Sequence, residues 1–240
     1  MAVEYDPNAF SPFRTGIYIA TARYFFGTIF AIQNHLEFSG RENIPPGPCV
    51  FVGNHLSNWD PPLISQVTDR PVSFLAKKEL FSDKFFRNLV LAYGAISIDR
   101  EKPEKSTFKA VKEMLSKGWC LGMFIEGTRS KTPGTLGTPQ MGAAYFAKLN
   151  KLPIVPIGII GTNVKRGKVY AKIGKPIAPE GTLEEISWKV MEALSEPTGF
   201  KLPTAIEDKS AKSAAADSGT TTNPDSVQVN QDTHNTKPSL

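Results

Sequence analysis

Histidine occurs three times in this chain, and one of the three stands five residues ahead of an aspartate: His55 and Asp60, in VGNHLSNWDPP, Val52–Pro62. An imidazole beside a carboxylate makes a general base, because the carboxylate fixes the ring tautomer and stabilises the imidazolium that forms. The apolar run Cys49–Gly53 reads as a strand. Asp60 followed by Pro61 reads as a helix N-cap and first helical position. His55 is thereby placed on a strand-to-helix loop at a strand end, where α/β sheets build their sites. The plainer alternative is that Asp60 only caps the helix and His55 is an ordinary loop histidine. Both jobs are compatible in one carboxylate, with Leu63 donating the cap bond because Pro61 and Pro62 have no N–H. His35 follows an apolar stretch and His234 falls in a polar tail, so any histidine chemistry here falls to His55.

Three other clusters follow apolar runs. Phe124–Ser130, FIEGTRS, sets Glu126, Gly127, Thr128 and Arg129 in succession. Gly127 permits close backbone approach, Arg129 offers a bidentate fork for phosphate, and Glu126 can accept from a polyol. Gly94–Arg100, GAISIDR, ends on Arg100, which either converges with Arg129 on one dianion or pairs with Asp99. Lys77 and Lys78 follow Phe74–Ala76, as donors to an oxyanion or as a solvated charge pair. No GxSxG elbow and no placed cysteine offers a covalent nucleophile, and neither GxxxxGK[ST] nor GxGxxG is present. A base without a protein nucleophile implies that the substrate's own hydroxyl attacks.

The elements that must position these residues alternate. Strands are expected at Cys49–Gly53, Val72–Ala76, Ala95–Ile98, Cys120–Ile125, Ile154–Ile160 and Val169–Ile173, several of them apolar throughout, as in a sheet covered on both faces. Helices are expected at Pro103–Lys117, ended by Gly118, at Gln140–Asn150 and at Leu183–Leu194. The pattern is that of a single α/β domain with a central mixed sheet flanked by helices, assigned to residues 37–204. Residues 1–36 precede it as an apolar segment whose Gly16–Ile32 carries Arg23 at its middle, which disfavours a spanning helix. That helix either lies in the headgroup layer, anchored by Tyr18, Tyr24, Phe25, Phe26 and Phe30, or packs against the domain. Residues 205–240 are poor in large apolar side chains and are expected to be irregular.

The chain holds 28 basic and 23 acidic residues; three lysines and five acids lie in 205–240, leaving 25 basic and 18 acidic before it. Such a surplus suits an anionic partner. Nothing interleaves basic and aromatic residues as nucleic-acid binders do, so no nucleic-acid partner is expected. Cys49 and Cys120 sit in separate apolar runs without metal-ligand spacing, so neither a metal nor a disulfide is expected.

Taken together, four ordered blocks, Asn54–Pro61, Gly94–Arg100, Phe124–Ser130 and Leu152–Ile157, resemble the glycerolipid acyltransferase family and, within it, the 1-acylglycerol-3-phosphate acyltransferases. The approach Ser39–Pro45 is similar too. Two positions depart from the family's pattern. Ile125 stands where it usually has proline, and Pro139–Gly142 lacks its usual lysine. The resemblance implies His55 and Asp60 as the catalytic pair and Lys77, with backbone N–H groups, at the oxyanion. It places Arg100, Glu126, Gly127, Thr128 and Arg129 on the acceptor. The implied reaction moves a fatty acyl chain from acyl-CoA or acyl carrier protein to the sn-2 hydroxyl of 1-acylglycerol 3-phosphate, giving phosphatidic acid, without cofactor or metal. Its implied place is the cytoplasmic face of a membrane, peripheral or monotopic, with a lysophospholipid acceptor. Alternatives are acylation of glycerol 3-phosphate or another lysophospholipid, and a non-catalytic anionic-lipid binder.

Overall fold

The computed structural model of the protein describes residues 3–33, 35–99, 104–164 and 166–203. Arg100 and the tail 205–240 lie outside them.

Seven strands are found among the described residues: β1 (His35–Ser39), β2 (Val50–Gly53), β3 (Val72–Lys77), β4 (Ile96–Ile98), β5 (Cys120–Phe124), β6 (Ile154–Ile160) and β7 (Lys168–Ile173). They form one sheet in the order β1-β7-β6-β2-β5-β3-β4. Every pairing is parallel except β6 with β7, so the sheet is mixed. β2 lies in the middle, with β6 and β5 on its flanks, and its residues alternate between two buried layers. Val50 and Val52 face one layer with Met114, Trp119 and Leu121; Phe51, and Cys49 just ahead of the strand, face the other with Leu63, Ile64 and Val155. Burial on both faces is why this strand carries no polar residue. The two thiols meet across β2 and β5, Cys49 Sγ to Cys120 Sγ at 3.9 Å, as buried small side chains.

Helices α1 (Pro12–Ala20) and α2 (Gly27–Gln33) are joined by a π-helical turn, Thr21–Phe26. A π turn displaces carbonyls from the usual ladder, and the Gln66 amide donates to the Ala22 carbonyl there. The remaining helices are α3 (Asp60–Ile64), α4 (Lys84–Ala92), α5 (Lys105–Ser116), α6 (Gly142–Asn150) and α7 (Leu183–Thr198). α5 buries Ala110, Val111 and Met114 and stops at Gly118, whose φ of 82° is a conformation glycine adopts without a Cβ penalty. α7 opens with a reciprocal capping box between Thr182 and Glu185.

The N-terminal helical segment is docked by one face and open on the other. By length and composition Pro12–Ile32 could cross a bilayer. In the structure, however, Tyr18, Ala22 and Phe30 are buried against the domain, and Arg23 pairs with Asp69 at 2.5 Å. The Tyr18 hydroxyl donates to the Val72 carbonyl at 2.9 Å and contacts Ser65 Oγ, and burial pushes its phenol up to about 12. Tyr18 and Phe30 are therefore internal anchors and not the lipid-facing residues expected. Phe13, Ile17, Tyr24, Phe25 and Ile32 are the exposed ones.

Candidate active site

β2, β3, β4, β5 and β6 all run the same way, so the segments that leave their C-terminal ends gather on one edge of the sheet. The loop after β2 carries His55, and the turn after β5 carries Glu126–Arg129. Asn54 fastens the first to β6. Its amide donates to the Ile159 carbonyl at 2.9 Å and its carbonyl accepts from Ile159 N at 2.7 Å, so a side chain continues the ladder where β2 ends.

His55 Nδ1 lies 2.7 Å from Asp60 Oδ2. The carboxylate partner places the proton on Nδ1 and leaves Nε2 as the basic nitrogen. The imidazole stacks on Phe124, with ring centroids 3.9 Å apart and planes 11° apart. Its side chain keeps 18% of its exposure, whereas that of Asp60 has none. Ring orientation is thus fixed by a charge on one side and an aromatic face on the other.

A fully buried carboxylate must have its lone pairs satisfied. The Asp60 carboxylate is met by Leu56 N at 2.6 Å, Ser57 N at 2.7 Å and the Thr162 hydroxyl at 2.5 Å, besides the imidazole. The expected cap bond from Leu63 is not made. Leu63 N donates to the Trp59 carbonyl at 3.0 Å, and Asp60 is the first residue of α3 rather than its cap. The carboxylate points backward, into the loop that carries His55. Thr162 contributes from the turn after β6, which no local pattern disclosed. A Thr162→Val variant is expected to lose about 1.5–3 kcal/mol of stability, the value of a hydrogen bond to a charged group, read from its denaturant midpoint. It should also lower kcat about tenfold while leaving both KM values near wild type.

Glu126 is held from within the protein. It is buried, and its carboxylate accepts from Ser130 Oγ at 2.7 and 2.8 Å, Gly137 N at 2.8 Å and His55 N at 3.4 Å. These three donors, the Ser130 hydroxyl shared between both oxygens, take most of the roughly four acceptor sites of a carboxylate. Glu126 therefore ties the β5 turn to the His55 loop, assisted by Ser130 N donating to the His55 carbonyl at 2.7 Å. Gly127 makes the turn itself, at φ 65°. Ile125 donates its N–H to the Gly53 carbonyl at 3.0 Å, a bond between β5 and β2 that a proline there could not make.

Arg129 and Thr128 are exposed beyond that turn. Arg129 lines a cleft of about 380 Å³ together with Ile29 and Phe30 of α2, Leu56–Trp59 of the His55 loop, and Thr162–Val164. Trp59 adds a contact with the N-terminal segment at this cleft, its ring 5.9 Å from Phe30 and 6.4 Å from Phe26. Lys77 is exposed at the end of β3 and is not among the residues lining this cleft. Arg100, which was expected to share the cleft with Arg129, lies outside the described residues.

A buried acid orienting an imidazole, an adjoining cleft with an arginine at its wall, and apolar helix residues on the other wall suit proton abstraction from the hydroxyl of an amphiphilic anion. Comparison with known proteins agrees in kind. A family model described as Acyltransferase matches residues 35–160. The 1-acyl-sn-glycerol-3-phosphate acyltransferase of Bacillus subtilis is 28% identical over 156 residues, which cover 62% of this chain and 77% of that protein. The enzyme of the same name from Pseudomonas aeruginosa is 32% identical over 163 residues, 67% of this chain and 60% of that one. Among solved structures, the 1-acyl-sn-glycerophosphate (LPA) acyltransferase PlsC from Thermotoga maritima superposes with a TM-score of 0.62 at 25% identity, covering 77% of this chain and 78% of its own. On the family match, which takes in both the His55–Asp60 loop and the Glu126–Arg129 turn, this chain belongs to the acyltransferase family.

Proposed function

We propose that the protein acylates the sn-2 hydroxyl of 1-acylglycerol 3-phosphate from a thioester donor, acyl-CoA or acyl carrier protein, giving phosphatidic acid. The observation that carries this reading is the 2.7 Å contact between His55 Nδ1 and the buried Asp60 carboxylate, which a protein that merely holds lipid has no need to build. The relatives' names supply the substrate class.

In the proposed reaction His55 Nε2 takes the proton of the acceptor hydroxyl as its oxygen attacks the thioester carbonyl carbon. The imidazolium that results is stabilised by Asp60. The tetrahedral oxyanion collapses, the carbon–sulfur bond breaks, and the departing thiolate takes the proton back from His55. Arg129 holds the acceptor phosphate in the cleft, with Arg100 as its expected partner there. Gly127 and Thr128 shape the turn that presents Arg129. No residue is acylated, and the reaction calls for no metal or cofactor. The setting is the cytoplasmic face of a membrane, to which the exposed aromatic residues of the N-terminal segment attach the protein peripherally.

An acceptor series tests the assignment. Lysophosphatidic acid is expected to be acylated in clear preference to glycerol 3-phosphate, lysophosphatidylcholine and monoacylglycerol. A preference for glycerol 3-phosphate would replace the acceptor, and failure of all four would replace the function. An Arg129→Ala variant is expected to raise the apparent KM for lysophosphatidic acid roughly 10- to 100-fold, the worth of a charge-assisted hydrogen bond, with little change in KM for the acyl donor. An equal rise for both substrates would remove Arg129 from the phosphate site.

A further inference from the structure

Helix α4 is amphipathic, yet its aromatic face is open. It buries no residue along its length, and Ser82 through Leu89 are all exposed. At 100° per residue Phe85, Phe86 and Leu89 share one face with Tyr93, and Lys84, Arg87 and Asn88 take the other. A surface helix normally turns its apolar face inward. Here Val90 and Leu91 are the half-buried residues, Arg87 Nε pairs with Glu4 Oε2 at 2.5 Å, and the aromatic face stays open. Phe85 remains 75% exposed, Phe86 50% and Leu89 42%, and Leu80 just before the helix is open as well.

This apolar face is continuous with another. The Tyr93 ring, at the end of α4, lies 5.8 Å from Phe26, and Phe26 lies 5.3 Å from the exposed Phe25 of the N-terminal segment. The flanks are basic. Residues 77–88 hold Lys77, Lys78, Lys84 and Arg87 against Glu79 and Asp83. Two segments distant in sequence thus present aromatic side chains side by side, with Lys77, Lys78 and Lys84 along the border, next to the sheet edge from which the His55 loop leaves. Such a surface complements an anionic bilayer, with apolar groups reaching the acyl boundary and lysines meeting headgroups.

We propose that α4 is a second membrane-contacting element, inserting Phe85, Phe86 and Leu89 into the interfacial layer of an anionic bilayer beside the N-terminal helix. The proposal rests on the reading of the acceptor as a membrane lipid, and it assigns the exposed Lys77 to headgroup contact. Two-point attachment fixes the sheet edge against the lipid surface, where a single helix would leave the domain free to roll.

The test uses the full chain and vesicles of equal parts phosphatidylcholine and phosphatidylglycerol. A Phe85→Ser/Phe86→Ser/Leu89→Ser variant alters only exposed side chains and should unfold at the wild-type temperature. It is expected to bind vesicles at least roughly tenfold more weakly, given the apolar area removed. Acylation of long-chain lysophosphatidic acid in vesicles should fall with binding, while acylation of a short-chain acceptor held below its micellar concentration should be unchanged. A Phe13→Ser/Phe25→Ser variant serves as the comparison for the N-terminal face. If that variant loses vesicle binding and the α4 variant does not, the α4 proposal falls and the membrane reading stands. If the wild type itself does not bind vesicles, both fall. A loss of activity on the monomeric short-chain acceptor equal to that in vesicles would overturn lipid contact as the role of these residues. So would a raised KM for acyl carrier protein alone, with vesicle binding intact.

Discussion

Replacing His55 by alanine is expected to slow acyl transfer roughly 10²- to 10⁴-fold, the range a positioned general base contributes, with the fold intact. The effect should fall on kcat, with little change in either KM, because the imidazole acts on the proton that moves only as the hydroxyl attacks. The fold is insulated for a specific reason. The loop is held by the His55 main chain, through its N–H to Glu126 and its carbonyl to Ser130 N, and alanine keeps both. Asp60 retains Leu56 N, Ser57 N and the Thr162 hydroxyl, so the buried charge is not orphaned. Far-UV circular dichroism and a denaturation midpoint near wild type, alongside the lost rate, would establish the separation.

Asp60→Asn should differ in kind, costing both stability and rate. One neutral amide oxygen would face Leu56 N, Ser57 N and His55 Nδ1, with an NH₂ group turned toward Thr162. Geometry survives in outline, but the charge that strengthened these bonds is gone and the imidazolium formed during transfer is unsupported. A stability loss of about 2–3 kcal/mol is expected from the weakened hydrogen bonds to a formerly charged acceptor. The accompanying fall in kcat should reach about 10²- to 10⁴-fold, as when an orienting carboxylate is neutralised. Residues that act as one unit are non-additive. A His55→Ala/Asp60→Asn double variant should therefore be no slower than His55→Ala alone, yet should keep the stability loss of Asp60→Asn. A rate loss equal to the product of the two single losses would show that Asp60 acts on the reaction by a route other than His55.

Strands buried on both faces announce themselves as unbroken apolar runs, which is why β2, β5 and β6 could be placed from sequence to within a residue at each end. β1 escaped because an edge strand alternates. In HLEFS only Leu36 and Phe38 turn inward, and five residues carry too little pattern. α4 escaped for the opposite reason, because none of its side chains is fully buried and so none formed part of a core argument. At the site, residue types and spacing disclosed the His55–Asp60 contact, which is local to one loop. Asn54 and Thr162 could not be read in the same way. Their partners, Ile159 and Asp60, are 105 and 102 residues away, and only the β2–β6 pairing brings them together. Glu126 was visible as a charged residue in a polar turn, but its inward direction depends on Gly137 and Ser130 closing around it. The cap assigned to Asp60 obeyed local rules that a tertiary demand overrode. The carboxylate was required by the histidine loop, and the first turn of α3 closed on the Trp59 carbonyl without it.

The account stands on one reaction, and one assay reaches it directly. Purified full-length protein is supplied with lysophosphatidic acid and a radiolabelled acyl chain, offered as the CoA thioester and as the acyl carrier protein thioester in separate reactions, and the lipid product is identified. Labelled phosphatidic acid from at least one donor, reduced by about 10²-fold or more in the His55→Ala protein, is the predicted result. Absence of labelled phosphatidic acid with both donors, or its formation by His55→Ala at close to the wild-type rate, would contradict the account.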